Sequence, residues 1–207
     1  RTATAVNGVV TFDNLGISGT VGTAYIITYS ATVNGNALTV ATQSVTPTLG
    51  AATQISITTQ PVGDTAGALL STQPVVKVLD SGNNIVTDSS IAVTVSASGG
   101  TLGGTKTINA TSGVATFTGI TFAGTASTNY TLTFTTADLG STISDDFSVG
   151  VGAPTQIIRT TNASGAVYSA DFTTQPVVEI RDAGNNKVTT AANVVTATLS
   201  SGTIPGT

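Results

Sequence analysis

The segment Thr72-Gln73-Pro74-Val75-Val76-Lys77-Val78-Leu79-Asp80-Ser81-Gly82-Asn83-Asn84 returns as Thr174-Gln175-Pro176-Val177-Val178-Glu179-Ile180-Arg181-Asp182-Ala183-Gly184-Asn185-Asn186, an offset of 102 residues. A recurrence at that spacing marks a tandem repeat whose unit is the size of one small domain. Within the segment, Val75 to Asp80 is a short run rich in β-branched residues, opened by a proline and closed by turn formers, which predicts a strand and a turn. Comparing the copies separates the two faces of that strand. Val76 and Val78 remain apolar as Val178 and Ile180, whereas Lys77 and Leu79 become Glu179 and Arg181. With a side-chain period of two, the first pair is expected in the core and the second in solvent. Asp80 and Asp182 begin turns in which Gly and Asn can take positive φ and the carboxylate can accept from an N–H two residues on. We expect these turns to be structural and to bind no metal, since one carboxylate with backbone carbonyls is a sparse ligand set for calcium.

The 207 residues hold no Cys, His, Met or Trp, and only 8% are charged. Disulfides, thiol chemistry and imidazole-based catalysis or metal binding are therefore excluded. Carboxylates and hydroxyls are the only usual catalytic side chains left, and the chain is not expected to be an enzyme. The 40% apolar content, alternating with Thr and Ser in strand-length runs, points to a folded all-β protein. A net charge of −4, with Arg1, Lys77, Lys106, Arg159, Arg181 and Lys187 scattered along the chain, argues against a nucleic-acid partner. No apolar run is long enough to insert into a membrane as a helix, and residues 1–207 carry no signal-peptide pattern. Arg1 in place of an initiator Met suggests a processed product or a slice of something longer.

Residues 1–49 read as the second half of a repeat. Arg1 to Phe12 aligns with Lys106 to Phe117 at an offset of 105, and the register continues through Gly19 against Gly124 and Tyr25 against Tyr130. Asn7-Gly8 and Ser112-Gly113 are expected turns, each leading into a strand with Val10 and Phe12, or Ala115 and Phe117, on one face. Tyr25, Ile27 and Tyr29, like Tyr130, Leu132 and Phe134, are expected core positions. Val33-Asn34-Gly35-Asn36 carries the hairpin signature. Residues 50–153 form one complete repeat, with strands predicted near 54–60, 73–80, 91–98, 105–110, 114–122, 129–136 and 142–149. Its expected core is Val76, Val78, Val93, Val95, Phe117, Tyr130, Leu132 and Phe134. Residues 154–207 repeat its first half. The chain thus spans two periods, with the repeat divided between its third and fourth strands. Each terminal half should carry an apolar face that it cannot cover alone. The short junctions at Gly50 and Gly152 leave little room for a linker, so neighbouring domains should abut.

The succession Val76-Lys77-Val78-Leu79-Asp80-Ser81-Gly82-Asn83, then Val93-Thr94-Val95, Ser112-Gly113-Val114-Ala115-Thr116-Phe117, and Gly124 followed by Tyr130-Thr131-Leu132-Thr133-Phe134, resembles bacterial immunoglobulin-like (Big) repeats of the invasin and intimin type. The resemblance implies tandem immunoglobulin-like β-sandwiches, one complete domain plus two complementary half domains. It also implies an extracellular or cell-surface role as a segment of a fibre, adhesin stalk or surface layer. The expected partners are copies of the chain or adjacent repeats of the same polypeptide, joined head to tail. The alternative is a carbohydrate- or surface-binding module that recognises a cell-surface glycan, which would need an exposed aromatic platform. The remaining motifs have simpler readings. Asp145-Asp146, the only acidic pair, lacks a basic or imidazole partner for acid/base work and is expected at the start of an exposed strand. Asn109-Ala110-Thr111, Asn129-Tyr130-Thr131 and Asn162-Ala163-Ser164 match a glycosylation pattern short enough to recur by chance. The hydroxyls of Thr131-Leu132-Thr133 and Thr94-Val95-Ser96 are expected on ordinary solvent-facing strands.

Overall fold

The computed structural model describes residues 1–202 and residue 204, and among these residues there are strands and no helix. Residues 1–49 contain β1 (Tyr25–Tyr29), β2 (Thr32–Val33), β3 (Asn36–Ala37) and β4 (Ala41–Val45). The complete repeat contains β5 (Ala52–Thr59), β6 (Val75–Asp80), β7 (Ala92–Ala97), β8 (Thr101–Gly103), β9 (Thr107–Asn109), β10 (Val114–Thr116), β11 (Thr121–Ala123), β12 (Leu132–Thr135) and β13 (Ser141–Ile143). The last segment contributes β14 (Gln156–Thr161) and β15 (Val177–Arg181). In the complete repeat the strand orders are β10-β6-β5, β13-β12-β7-β9 and β11-β8, all antiparallel. One core of β-sandwich type lies between them, because alternate residues of β6, β7 and β12 point to the same interior.

All eight expected core residues are buried, and Lys77 is more exposed than the Val76 beside it. Phe117 packs on Phe134 at 5.4 Å between ring centroids, and Phe122 lies 4.7 Å from Tyr130 and 5.1 Å from Phe147. Tilted and edge-on rings at these separations add to what burial alone contributes. The Asn7-Gly8, Ser112-Gly113 and Asn34-Gly35 turns all place both residues at positive φ, as two-residue hairpins of this kind require.

Three strand expectations need correction. The run 114–122 is two strands, because the chain crosses from β6 to a separate pairing with β8. Gln73 holds that crossing: its Oε1 accepts from Ile120 N at 2.9 Å, and its Nε2 donates to the carbonyls of Ile120 and Leu70, both at 3.0 Å. The run 142–149 is interrupted by a bulge. Thr133 pairs with Ile143, but Tyr130 bridges Phe147, so three steps on one strand face four on the other. Ser144 Oγ accepts the Leu132 N–H at 2.9 Å there, and Asp145-Asp146 lie on the bulge instead of opening a strand. Thr101–Gly103 lies outside the predicted strands, in a stretch that carries four glycines between Gly99 and Gly104. A Cβ on Gly104 would meet the Gly119 backbone, so this glycine allows two segments to approach closely.

A fourth difference follows a simple rule. The counterparts of β9, β10 and β11 in the first segment form no strand, nor does the counterpart of β7 at 194–199. In the complete repeat the ladder partners of each of these lie across the division between its halves. Strands β1 with β4, and β14 with β15, have their partners in the same half and do form. A strand without a partner leaves its N–H and C=O groups unpaired, so extended structure is not stabilised there.

Candidate functional site at the junction between repeats

The described residues hold no group of three or more acidic side chains placed to share a metal ion. The feature built with most care is the junction between repeats, and it is built twice. At the first, both oxygens of Asp80 accept: Oδ1 from Gly82 N and Asn84 N, each at 2.9 Å, and Oδ2 from Gly50 N at 3.1 Å. Asn84 Nδ2 donates to both oxygens at 3.1 Å. At the second, Asp182 accepts from Gly184 N and Asn186 N, each at 2.9 Å, from Asn186 Nδ2, and from Gly152 N at 2.6 Å. The turn therefore ties its own backbone to the strand that enters the repeat. Gln54 reinforces the first from the same strand, donating to the Asp80 carbonyl and to Asn83 Oδ1, and Gln156 donates to the Asp182 carbonyl at 2.8 Å.

The asparagine that closes the turn reaches the preceding repeat. Asn84 Nδ2 donates to Gly19 O at 3.0 Å, and Asn84 Oδ1 accepts from Val21 N at 3.0 Å. Asn186 repeats this, donating to Gly124 O at 2.9 Å and accepting from Ala126 N at 2.8 Å. One amide thus clasps a backbone N–H and a backbone C=O of its neighbour, as an adjoining strand would. The clasped loop is positioned by a tyrosine of its own repeat, with Thr20 N donating to Tyr25 Oη at 3.0 Å and Thr125 N to Tyr130 Oη at 2.8 Å. In the turns, positive φ falls on Asn83 and Asn185. Gly82 and Gly184 serve another purpose. A Cβ there would crowd the carbonyl of Gly19 or Gly124, so glycine is what lets the repeats meet.

Electrostatics follows from this geometry. The carboxylates are 4% and 0% exposed. The Asn84 backbone N–H is the main influence holding Asp80 below the ordinary carboxylate range, against the opposing effect of burial. At Asp182, burial is the largest single influence and pushes upward, but the donors of Gly152, Asn186 and Gly184 together outweigh it and lower the pKa. Both are therefore ionised at neutral pH, their charge met by N–H dipoles. On the outer face of β15, Glu179 is held by Arg181 at 2.7 Å and Lys187 at 3.2 Å, which lowers its pKa as well.

Sequence reading placed the Asp turns correctly as centres of local hydrogen bonding but missed the cross-repeat contacts of Asn84 and Asn186. The available signal was identity between copies at polar positions: Asn84 with Asn186, Gln54 with Gln156, and Gly19 with Gly124. Other motifs stay apart from the junction. Asp146 accepts from Asn129 Nδ2 at 3.2 Å, and Thr94 shares a hydrogen bond with Thr107 across β7 and β9. Asn186→Ala is expected to remove two contacts to Gly124 and Ala126 at a cost of about 1–3 kcal/mol. Residues 154–188 should then tumble more independently of residues 50–153 in backbone ¹⁵N relaxation, and unchanged relaxation would refute the clasp.

No family model and no curated protein matches the chain. Among solved structures, it is similar to a beta-glycosidase from Bacteroides vulgatus, with 14% sequence identity and a TM-score of 0.41. The match covers 70% of this chain and 20% of that one, so the chain spans about one fifth of that protein's length.

Proposed function

We propose that this chain is a structural segment of a bacterial extracellular fibre, adhesin stalk or surface layer, built from tandem immunoglobulin-like domains joined head to tail. The observation that carries the reading is the duplicated joint. The same aspartate, asparagine and glycine contacts recur at both junctions, so each repeat meets its predecessor through one standard set of bonds. A series of such joints makes a string of domains with restricted hinges, which suits a spacer better than a catalyst. Its partners are then adjacent repeats or further copies of the chain, and its place is outside the cell.

The glycan-binding alternative finds less support. All five aromatic residues of 50–153 are buried in its core, leaving no aromatic platform on the complete repeat. Two measurements on the native source test the proposal: the mass of the intact polypeptide, and labelling of unbroken cells by antibody against residues 50–153. A very long polypeptide, or a short one recovered in polymers, with surface labelling, is expected. A short, unassembled chain confined to the cell interior would overturn it.

A further inference from the structure

Where the chain leaves the complete repeat, it runs beside residues 63–66. The Ala66 N–H donates to Gly150 O at 2.9 Å, the Gly150 N–H donates to Asp64 O at 2.8 Å, and Thr65 bridges Gly150 in parallel. Among the described residues every other pairing is antiparallel. Glycine lets the two segments approach at both ends of this ribbon, since a Cβ on Gly63 would meet the Ser148 carbonyl and one on Gly152 the Ala66 carbonyl. The direction of the ribbon sets how it is loaded. Ala52 lies opposite Asp80 at the joint with the preceding repeat, Val62 bridges Thr72 further along, and Ala66 reaches Gly150 beside the joint with the following repeat. The repeat is therefore entered at one end and left at the other. Tension between Gly50 and Gly152 draws residues 64–66 and 148–152 past each other lengthwise, so both hydrogen bonds must fail together instead of one after the other.

The following repeat fastens three places around the exit of this ribbon. Asp182 Oδ2 accepts the Gly152 N–H at 2.6 Å, Ala183 packs so close to Gly67 that a Cβ there would meet its own, and Asn186 clasps Gly124 and Ala126. The clasped loop in turn grips the outgoing segment from its other side, with Ser127 N donating to Val149 O at 3.0 Å. We infer that residues 63–66 and 148–152 are the force-bearing element of the repeat, and that the following repeat locks this element by holding its end at Gly152. The same tie recurs between Asp80 and Gly50, so each repeat locks the one before it. This behaviour belongs to a repeat and its successor and does not depend on the chain's place in a fibre or stalk.

The absence of cysteine allows the chain to be held at chosen points, and Ala51, Leu69 and Ala153 are all exposed. In the full chain, A51C/A153C carries optical-tweezer handles on either side of the complete repeat and leaves residues 1–49 and 154–207 unloaded. L69C/A153C puts both handles at the exit end. The first geometry shears the ribbon and the second peels it. Shearing should release roughly 350 Å of chain, the contour of about 100 residues, and should need a clearly higher force than peeling. Forced unfolding follows the unfolding rate. In the first geometry Asp182→Ala should therefore unfold at least about tenfold faster at constant force, the effect of losing one bond to a charged group. Because Asp182 belongs to the following repeat, its removal leaves the contacts within residues 50–150 in place. Equal unfolding forces in the two geometries would overturn the ribbon as the force-bearing element, and an unchanged rate in Asp182→Ala would overturn the lock.

Discussion

Phe122→Ala is expected to destabilise residues 50–153 by about 3–5 kcal/mol, the usual cost of deleting a buried ring. Phe122 is 1% exposed and touches both Tyr130 and Phe147, so its loss removes two aromatic contacts and leaves a cavity where β11 meets β8. With a slope of about 2 kcal/mol per molar, the urea midpoint should fall by roughly 2 M. Its counterpart makes the experiment informative about the rest of the chain. Ile17 occupies the same place in the first segment and is 40% exposed. Ile17→Ala should therefore cost less than about 1 kcal/mol in dilute chain. Equal losses for the two variants would mean that residues 1–49 complete a core without help.

Asp182→Asn is expected to open the second junction. The substitution keeps one acceptor oxygen but turns an NH₂ group toward N–H donors, either that of Gly152 or those of Gly184 and Asn186. Stranding buried donors in this way costs about 2–4 kcal/mol. Acid should mimic it. The folded carboxyl titrates below its unfolded value of about 3.9, so the folded state holds fewer protons in that range and stability rises with pH. The stabilisation is complete above the unfolded value and is lost as pH falls through the folded one, below about pH 4. Hydrogen exchange at Gly152 should accelerate in that window and, in Asp182→Asn, already at pH 7. Calcium and chelator should leave thermal melts unchanged, since the carboxylate oxygens face N–H groups whose positive ends would repel a cation. A shift of many degrees on chelation would show that these turns hold metal.

Much of the complete repeat was legible because its strands alternate. Comparing Val76-Lys77-Val78-Leu79 with Val178-Glu179-Ile180-Arg181 separated the faces of β6 correctly. In β15, however, Val178 is exposed and Glu179 and Arg181 are half-buried, because among the described residues no opposing strands cover Val178 and an ion pair holds the two charged side chains together. Legibility failed where a side chain replaces a ladder bond. Ser144 taking the Leu132 N–H, and Gln73 bonding Ile120 across 47 residues, leave no periodic trace. It failed again where strand formation depends on a distant partner. Residues 9–11 have the same pattern as β10, yet only Val114–Thr116 has a β6 to pair with. The junction was half legible: Asp80 and Asp182 announce their turns, but that Asn84 reaches backward to Gly19 depends on how successive repeats pack.

The Asn84 and Asn186 clasps touch their neighbours only through main-chain atoms: the carbonyls of Gly19 and Gly124 and the N–H groups of Val21 and Ala126. Val21 and Ala126 already differ in side chain without changing the bond. Such a joint is indifferent to most of what evolution alters in a repeat. Units could be duplicated, deleted or exchanged by recombination and still couple to whichever unit precedes them, so the length of the string can change without redesigning its joints.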